Sequence, residues 1–447
     1  MDVDARWGRV RVVRDWVQYR ENFREAVELR PVLSSNGDRS VEIAVDARRA
    51  GEARWRELVQ ARTAGEDRVF LEGWGPGSEG CIWGFNALYW RDLDLWEKST
   101  GRGYEQALPS GRSDARNRGA ARELVGGLFA VWDRLGGALP EQLYVVELGV
   151  GNGGQARVFL DELRAMDAEL GRGYYRRLQY LMCDNSEHVL GLAREAVAEH
   201  AEHVSSLSVD ATRPCLSLGF LRSKVFLVYV SNVYDNLPTD ELAQRDGRPY
   251  LVQTRAYLPA GQARELAGSV GAGVAELPAL VGKLARLGPA LLAEAAPERF
   301  AGVEAAVSFW RRAWRAVRLA ERYVPLGRPD EYRPAPSVDG QCVRSLWESG
   351  ADVRMHVNNG ALASFTDSLR LLHPSGTLVC HDLFVTDTEG YRDRFRGPGK
   401  YDGSVVNWVN GPLLARVGRR LGFDVRYAPF AHRAGGNIVT MTARALG

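Results

Sequence analysis

The chain has 447 residues, of which 45% are hydrophobic and 26% are charged, a balance typical of folded globular proteins. Its formal net charge of +2 excludes a strong bulk attraction to nucleic acid or to an anionic membrane. No apolar run approaches the roughly 20 residues that span a bilayer, and the N-terminus lacks the apolar core of a signal peptide. We therefore expect a soluble cytoplasmic protein, built as one large domain with extensions or as two domains.

The residues that commonly bind metals are scattered along the chain. The cysteines form no Cys-x-x-Cys pair, and no set of His, Asp and Glu residues has metal-ligand spacing. We predict neither a disulfide framework nor a metal site, and we expect the cysteines to be small buried residues. They are Cys81, Cys183, Cys215, Cys342 and Cys380.

Residues 1–135 are predicted to form a mixed, partly helical N-terminal extension. Val41–Val45 has the pattern of a short strand. Arg116–Gly136 has apolar residues at helical spacing and is predicted to be a helix.

From Leu143 onwards, strand-like runs alternate with helical ones. This alternation predicts a parallel sheet with crossover helices, and the nearly continuous apolar strands predict a sheet covered on both faces. The expected strands are Tyr144–Leu148, Gln179–Cys183, Val204–Val209 and Lys224–Ser231, and the expected helices are Gln155–Met166 and Glu187–His200.

Residues 239–365 are predicted to interrupt the sheet as a mostly helical insertion, between a first half at 136–238 and a second half at 366–447. An insertion of this length is usually a lid or a binding element. Its tryptophans could line an acceptor pocket or pack between helices, and its recurring arginines could meet an anionic substrate or face solvent. These residues are Trp310, Trp314, Trp347, Arg311, Arg312, Arg315 and Arg318.

The strand pattern returns near the C-terminus. Gly376–Phe384 and Phe423–Tyr427 are predicted strands, separated by a helix at Val405–Leu421. A final strand at Asn437–Thr442 is predicted to run antiparallel to the rest of the sheet.

A glycine-rich turn follows the first strand of the sheet and precedes its first helix. In Glu147-Leu-Gly149-Val-Gly151-Asn-Gly153-Gly154, the glycines allow positive φ angles and the close approach of a ligand to the backbone. The next helix offers its N-terminal N–H groups. The related Gly-x-Gly-x-x-Gly spacing of dinucleotide sites is also met, because Gly154 follows Gly149 at the required distance.

Three acidic residues at predicted strand ends fit S-adenosylmethionine, although the one at Asp184 is shared with NAD enzymes and does not discriminate between the two cofactors. Glu147, just before the glycines, can pair with the amino group of the methionine part but would repel a pyrophosphate. Asp184 can accept the two ribose hydroxyls, and Asp210 stands where the adenine amino group would bind. We predict S-adenosyl-L-methionine as the cofactor, with contacts from Glu147, Gly149, Gly151, Gly153, Asp184, Asp210 and Ser231.

Three motifs resemble the MidA family, which includes the mitochondrial complex I assembly methyltransferase. They are the glycine turn, Val230-Ser-Asn-Val-Tyr-Asp-Asn-Leu-Pro238 after the fourth strand, and, more loosely, 399–410. The turn at 372–379 and the segment Arg420–Phe423 are similar to class I methyltransferases. The resemblance implies an α/β fold with a Rossmann-like class I methyltransferase sheet and an antiparallel last strand, extended here by the N-terminal segment and the helical insertion.

The loop after the fourth strand lies beside the transferred methyl group in this fold. Asn232, Tyr234 and Asp235 are therefore predicted to contact the acceptor, and His381 is a candidate base at the next strand end. His356 is a further candidate, although structural roles remain open for it and for the other four. Asp94 and Tyr104, before the sheet, are predicted to close over the cofactor.

The sequence departs from the MidA pattern at Val233, where the family typically has glutamate. A carboxylate there would suit a guanidinium, so its loss favours a small-molecule or peptide acceptor over a protein arginine. We therefore predict a methyltransferase, with a non-catalytic cofactor-binding assembly factor and a nicotinamide-dependent oxidoreductase as alternatives. We expect neither nucleic acid nor membrane as a partner, and the oligomeric state stays open between monomer and homodimer.

Overall fold

The computed structural model describes residues 9–15, 22–34, 39–46, 49, 68–107, 117–347, 352–392, 396–433 and 435–446. Within these ranges, no helix combines the length and the apolar character needed to cross a bilayer. The predicted helix start at Arg116 and the side chain of Trp347 lie outside the described parts of the chain.

The described strands, numbered along the chain, form two large sheets and two short ribbons. They are β1 Arg9–Asp15, β2 Val27–Leu33, β3 Arg39–Asp46, β4 Arg68–Phe70, β5 Gly75–Pro76, β6 Leu143–Leu148, β7 Leu178–Asp184, β8 Val204–Ser208, β9 Val225–Ser231, β10 Asp240–Arg245, β11 Arg248–Pro259, β12 Arg318–Pro325, β13 Val353–Val357, β14 Leu372–Asp382, β15 Phe384–Val385, β16 Gly399–Tyr401, β17 Ser404–Val406, β18 Val409–Asn410, β19 Phe423–Pro429 and β20 Val439–Ala445.

The described α-helices cover both faces of one large sheet and pack beside the other. They are α1 Cys81–Arg91, α2 Leu93–Thr100, α3 Tyr104–Ala107, α4 Arg118–Leu135, α5 Gly154–Leu170, α6 Glu187–Ala196, α7 Pro214–Leu218, α8 Ala260–Gly268, α9 Leu277–Ala295, α10 Val303–Ala316, α11 Gln341–Trp347, α12 Asn359–Leu369 and α13 Gly411–Arg420.

A seven-stranded sheet has the order β19-β20-β14-β9-β6-β7-β8. The five strands β8, β7, β6, β9 and β14 are parallel, whereas β20 is antiparallel to both of its neighbours. This strand order, with one reversed strand next to the edge, is that of the class I methyltransferase fold. The prediction of the fold class and of its antiparallel last strand is confirmed.

Both faces of this sheet are buried, as its apolar strands predicted. On one face, β6, β7 and β9 pack against α4 and α5 around Val145, Phe159 and Tyr229. On the other, β9 and β14 pack against α12 and α13 around Val228, Cys380 and other apolar residues. Apolar burial on both sides stabilises the sheet and leaves its carboxyl edge, where the parallel strands end, as the place for a site.

The prediction that the insertion at 239–365 is mostly helical is wrong. Helices α8, α9 and α10 are present, but β10, β11, β12 and β13 also lie in this region and pair with one another in antiparallel ladders. The reason is burial of charge: β10 has the polar sequence DELAQR, yet five of its six residues are buried. The buried Arg354 on β13 pairs with Glu241 on β10, so charged residues occupy positions at which an apolar pattern was expected.

The N-terminal strands belong to the same sheet as this insertion. The order is β1-β3-β2-β12-β11-β10-β13, with β4 and β5 pairing with β11. The two segments predicted as separate units thus share one sheet. Buried ion pairs of Arg30 with Glu321 and Glu42 lie where the two segments meet.

Candidate functional site

The glycine turn joins the end of β6 to the start of α5, at the centre of the carboxyl edge of the seven-stranded sheet. Gly149, Gly151 and Gly153 have φ angles of 74°, 57° and 75°, a region that other residues rarely adopt. The N–H of Gly149 donates to the Cys183 carbonyl oxygen at 2.7 Å, which ties the turn to β7.

The space around these glycines is too small for a side chain. A Cβ on Gly153 would lie 2.6 Å from the Ala193 Cα on α6, so helix packing requires glycine there. A Cβ on Gly149 would lie 2.4 Å from Cγ2 of Val233, and one on Gly151 would lie 2.6 Å from the Tyr104 hydroxyl oxygen. The turn therefore presents backbone atoms and no side chains of its own, and we call it the glycine cradle. Val233 and Tyr104 lie directly over it.

Glu147 is the penultimate residue of β6, and its side chain is buried just before the turn. The Tyr180 hydroxyl donates to its carboxylate at 2.6 Å. Burial raises the pKa of Glu147 to about 8; the Tyr180 hydrogen bond opposes this shift and the nearby Asp184 adds to it. A buried carboxyl group with a single hydrogen-bond donor has spare accepting capacity, and a cation brought beside it would stabilise its ionised form.

Asp184, at the end of β7, holds the turn from the other side. Its carboxylate accepts the N–H of Ser186 at 3.1 Å and that of Gly151 at 3.4 Å. Burial raises the pKa of Asp184 to about 6. The structure thus brings Glu147 and Asp184 together at the glycine turn, as the sequence predicted.

Asp210 lies at the end of β8, two strands away from β6. Its side chain is half-exposed, and its carboxylate accepts the N–H and the hydroxyl of Thr212 at 2.8 and 2.7 Å. Arg213 adds an ion pair at 3.5 Å. In this geometry Asp210 stabilises its own loop, and it does not reach the glycine turn by any described contact.

Several buried polar atoms after the turn and on the adjoining sheet face lack hydrogen-bond partners among the described residues. They include both side-chain amide atoms of Gln155, in the first turn of α5, and Nε2 of His381. The hydroxyls of Tyr229 and Ser231 lie near each other, but neither meets the geometry of a hydrogen bond.

These residues share one face of the sheet. Tyr229 stands opposite Glu147 in the register of β9 and β6, and Ser231 stands opposite His381 in that of β9 and β14. Because buried polar groups are nearly always paired, such a group of unpaired atoms fits a polar ligand that would supply the partners.

The loop after β9 is organised by a different carboxylate, that of Asp382 on β14. It accepts the backbone N–H groups of Val233, Tyr234 and Asp235 at 3.2, 2.8 and 3.4 Å, and that of Leu383 at 2.7 Å. Burial, followed by the Asp382 charge, raises the pKa of Asp235 well above its usual range. Burial also raises the pKa of Asp382, to about 6, while its backbone N–H donors oppose this shift, so the pair favours holding its proton on Asp235.

The predicted acceptor contacts in this loop have distinct positions. Asn232 lies at the sheet edge with φ 52°, and its N–H donates to the His381 carbonyl oxygen at 2.9 Å. Tyr234 is 0% exposed within the core between the sheet and α12. Asp235 is buried beside Asp382. Of the three predicted acceptor contacts, only Asn232 is therefore not fully buried at the edge that a ligand could approach.

Both candidate histidines are buried. The Nδ1 of His381 lies 3.0 Å from the Thr440 hydroxyl, and burial lowers its pKa to about 4. His356 contacts the Arg396 carbonyl oxygen through Nε2 at 2.7 Å, and burial lowers its pKa to about 3. Both rings are neutral near neutral pH, and His356 lies on β13 in the second sheet, away from the turn.

Tyr104 on α3 reaches the turn, as predicted for the segment before the sheet. The Asn152 N–H donates to its hydroxyl at 3.3 Å, and its ring contacts Trp90 edge-to-face. Asp94 is exposed on α2. Trp310 and Trp314 are 0% and 1% exposed, so they are core residues and do not line an open pocket.

Three residues of the site were not predicted from the sequence: Tyr180, Gln155 and Tyr229. The only available signal was a tyrosine in the otherwise apolar strands β7 and β9, since a buried tyrosine hydroxyl needs a polar partner. Gln155 gave no signal beyond its place in the first turn of a helix.

No family model and no curated protein matches the chain. Among solved structures, it is similar to a protein of Burkholderia thailandensis bound to S-adenosyl-homocysteine, with 15% identity, coverage of 89% of this chain and 93% of that chain, and a TM-score of 0.46. It is also similar to the DszA carbon methyltransferase, with 12% identity, coverage of 92% and 74%, and a TM-score of 0.36.

A third similar structure is the glycopeptide N-methyltransferase MtfA complexed with sinefungin, with 12% identity, coverage of 71% and 94%, and a TM-score of 0.29. All three TM-scores are below 0.5. The fold assignment therefore depends on the strand order of this chain, and the site on its own geometry.

Proposed function

We propose that this chain is an S-adenosylmethionine-dependent methyltransferase. The observation that carries the proposal is the bare glycine cradle at the end of β6, flanked by the buried carboxyl groups of Glu147 and Asp184. The unpaired buried atoms of Gln155 and His381 beside it support a polar ligand at this edge. The cofactor would supply an electrophilic methyl group on a sulfonium, and the protein would supply alignment and electrostatics.

Each residue at the cradle has a distinct proposed role. Glu147, once ionised, would accept hydrogen bonds from the cationic amino group of the methionine part. Asp184 would accept hydrogen bonds from the ribose hydroxyls. The N–H groups around Gly151 would face the ligand backbone, and the Tyr104 hydroxyl would leave its position over Gly151 when a ligand enters.

The residues near the proposed acceptor position favour catalysis by alignment of the acceptor over catalysis by proton transfer. Burial and the Asp382 charge raise the pKa of Asp235 well above its usual range, which disfavours it as a base. His381 is neutral, yet it is 5% exposed, so an acceptor could reach it only through its unpaired Nε2. We infer that Asn232 orients the acceptor at the sheet edge, and Ser231 remains a proposed cofactor contact.

We further propose a small-molecule or peptide acceptor. In the MidA-like loop, Val233 replaces a glutamate, and its side chain packs directly over Gly149. This apolar contact offers no carboxylate for a guanidinium, the group of a protein arginine acceptor. The proposal thus includes both methylation of a small molecule or peptide and the resemblance to the MidA family.

Isothermal titration calorimetry with S-adenosylmethionine and with NAD tests the cofactor. We expect one site for S-adenosylmethionine and none for NAD, since β20 is reversed relative to the parallel strands, and Glu147 can ionise beside a cationic amino group but not beside a pyrophosphate. Binding of NAD alone would overturn the proposal.

A non-catalytic assembly factor that binds the cofactor is the second candidate. The burial of Tyr234, Asp235 and His381 favours it, because these residues leave few free polar groups for an acceptor. Release of S-adenosylhomocysteine during incubation with fractionated cell extract supports an enzyme. Cofactor binding without such release, across all fractions, supports the assembly factor.

A further inference from the structure

The strand β19, Phe423–Pro429, forms one edge of the seven-stranded sheet. All seven of its residues pair with β20 in an unbroken antiparallel register. Within the described parts of the chain, no strand pairs with the other side of β19. An edge strand presents unpaired backbone N–H and C=O groups, which the strand of another chain can join. The open side of β19 is therefore a candidate interaction surface.

Hydrogen bonds just outside the two ends of β19 show which of its backbone groups point outwards. At one end, the Leu446 N–H donates to the Gly422 carbonyl oxygen at 2.8 Å. At the other end, the Phe430 N–H donates to the Ile438 carbonyl oxygen at 3.1 Å, and both bonds continue the register of β19 and β20. Because hydrogen-bonded and non-hydrogen-bonded pairs alternate in an antiparallel ladder, the even-numbered residues of β19 bond to β20. The odd-numbered residues therefore direct their N–H and C=O groups to the open side.

These outward-facing residues are Phe423, Val425, Tyr427 and Pro429. Proline has no N–H, so at this position it removes no bond to β20 and ends the row of outward donors. The other three side chains are partly buried and pack against the apolar core that includes α12 and α13. The Tyr427 hydroxyl also donates to the Gly411 carbonyl oxygen, at 2.8 Å. These contacts fix the strand, so its outward backbone groups are already ordered for a partner.

The other face of β19 carries two charged residues of opposite sign, Asp424 and Arg426. Their side chains are 38% and 82% exposed, and the Arg426 guanidinium donates to the Asp424 carboxylate at 2.6 Å. A guanidinium has several N–H donors and a carboxylate has several acceptor sites, so one such bond leaves capacity for a second ion pair. Charges on an edge strand usually oppose pairing with other chains, but a strand with both signs matches one that presents them in reverse order.

A second copy of β19 presents that reverse order when the two strands run antiparallel. With a two-fold axis through Val425, Asp424 of each copy lies opposite Arg426 of the other, and Phe423 lies opposite Tyr427. The odd-numbered residues then form the hydrogen-bonded pairs, as their outward groups require. The charged residues form non-hydrogen-bonded pairs, in which opposite side chains approach most closely. Each charge thus has an opposite charge beside it on its own strand and another across the interface.

Other alignments of the two strands are less favourable. Moving the two-fold axis to Asp424 or to Arg426 would place two like charges directly opposite each other. The alignment at Val425 also leaves Pro429 beyond the paired residues, where its missing N–H interrupts nothing. The opposite edge of the sheet, β8, has the sequence Val-Ser-Ser-Leu-Ser and offers no charge pair. Of the two edges of this sheet, only β19 has the self-complementary pattern.

We propose that two copies of this chain associate through β19, so that their seven-stranded sheets form one continuous sheet. The open edge supplies the hydrogen-bonding groups, and the alternating charges of Asp424 and Arg426 select a second copy over a strand of another sequence. The proposal does not depend on cofactor binding or on methyltransferase activity.

Sedimentation equilibrium of the full chain tests the proposal, with D424R and R426D as variants. D424R places two arginines on the edge and R426D places two aspartates there, so each variant meets its own copy with like charges. We expect the wild type to dimerise and each variant to weaken the dimer by about tenfold or more. Both side chains are at least partly exposed, so the variants should fold, and circular dichroism verifies that they do.

A mixture of the two variants separates contact between copies from effects within one strand. When D424R meets R426D, its two arginines face two aspartates, and the charges match again across the interface. The ion pair within each strand stays broken in the mixture, so any recovery comes from the contact between copies. We expect a mixed dimer with nearly the affinity of the wild type.

The matched controls are E331R and R328D, which reverse the charges of another exposed ion pair, outside β19. They should leave dimerisation unchanged. A wild type that stays monomeric at about 0.1 mM overturns the proposal and leaves the edge to a strand of another protein. Three further results also overturn it: a dimer that D424R and R426D do not weaken, a mixture that associates no better than either variant alone, and an equal loss in the controls.

Discussion

Two carboxylates at the same edge of the seven-stranded sheet have opposite surroundings. Asp382 accepts four backbone N–H groups and lies beside Asp235, whose pKa is raised well above its usual range. Glu147, two strands away, has one hydroxyl donor and lies near polar atoms that have no partners. A fully paired carboxylate serves the fold, whereas an incompletely paired one beside a bare backbone cradle is suited to a ligand.

The largest expected effect is on stability and concerns Asp382. In D382A, two buried and two partly buried N–H groups lose their acceptor, so we expect the free energy of unfolding to fall by about 3 kcal/mol or more. D382N keeps an acceptor oxygen and should lose less. Urea denaturation measures both variants, and an unchanged midpoint for D382A would remove the contrast with Glu147.

The next effect is on binding and concerns Glu147. E147Q removes the charge that would meet the cofactor amino group, so affinity for S-adenosylhomocysteine should fall by about 10- to 100-fold. The fold should not suffer, because the folded state already favours the protonated, uncharged carboxyl group. E162Q is the control, since Glu162 is equally buried but pairs with Arg118 and Arg122 away from the turn.

Calorimetry measures this loss of affinity, and urea denaturation measures stability. A stability loss in E147Q as large as that in D382A would make Glu147 a structural residue like Asp382. If E147Q and the wild type bind S-adenosylhomocysteine with equal affinity, Glu147 does not pair with the amino group of the ligand.

The raised pKa of Glu147 also predicts that binding depends on pH. A cationic ligand binds the ionised carboxylate, so affinity should rise with pH and level off above about pH 8. At about pH 7, binding should release nearly one proton through this residue. Titrations in buffers of different ionisation enthalpy count the proton, and E147Q should lose this component.

The same group has the opposite effect on stability. Between the ordinary glutamate pKa of 4.5 and the raised pKa of about 8, the folded state holds a proton that the unfolded state has released. The contribution of Glu147 to the free energy of unfolding therefore decreases as pH rises through that window. A pH series of denaturation curves should show a shallower decrease for E147Q than for the wild type.

The smallest expected effect concerns Tyr104. Its hydroxyl contacts the turn at the position a ligand would take, so Y104F should bind S-adenosylhomocysteine more tightly, by about two- to fivefold. Y89F is the control, because the Tyr89 hydroxyl donates to Asp402 and does not touch the turn. Weaker binding by Y104F would mean that the hydroxyl contacts the ligand.

The sequence predicted the seven-stranded sheet well because its parallel core strands are apolar and alternate with helical segments. It did not predict the second sheet, since Glu241 and Glu321 are buried there by pairing with arginines and so break the apolar pattern. At the site, Glu147 was predictable because it precedes the glycines, and Asp184 because it ends the next strand. Tyr180 was not, because its contact with Glu147 depends on strand register, which a pattern does not reveal.

A crystal structure of the chain soaked with S-adenosylhomocysteine tests the central claim most directly. The account predicts density over the glycine turn, with the amino group within hydrogen-bond distance of Glu147 and the ribose hydroxyls at Asp184. Density at another place, or a Tyr104 hydroxyl still over Gly151 with no ligand at the turn, would contradict it.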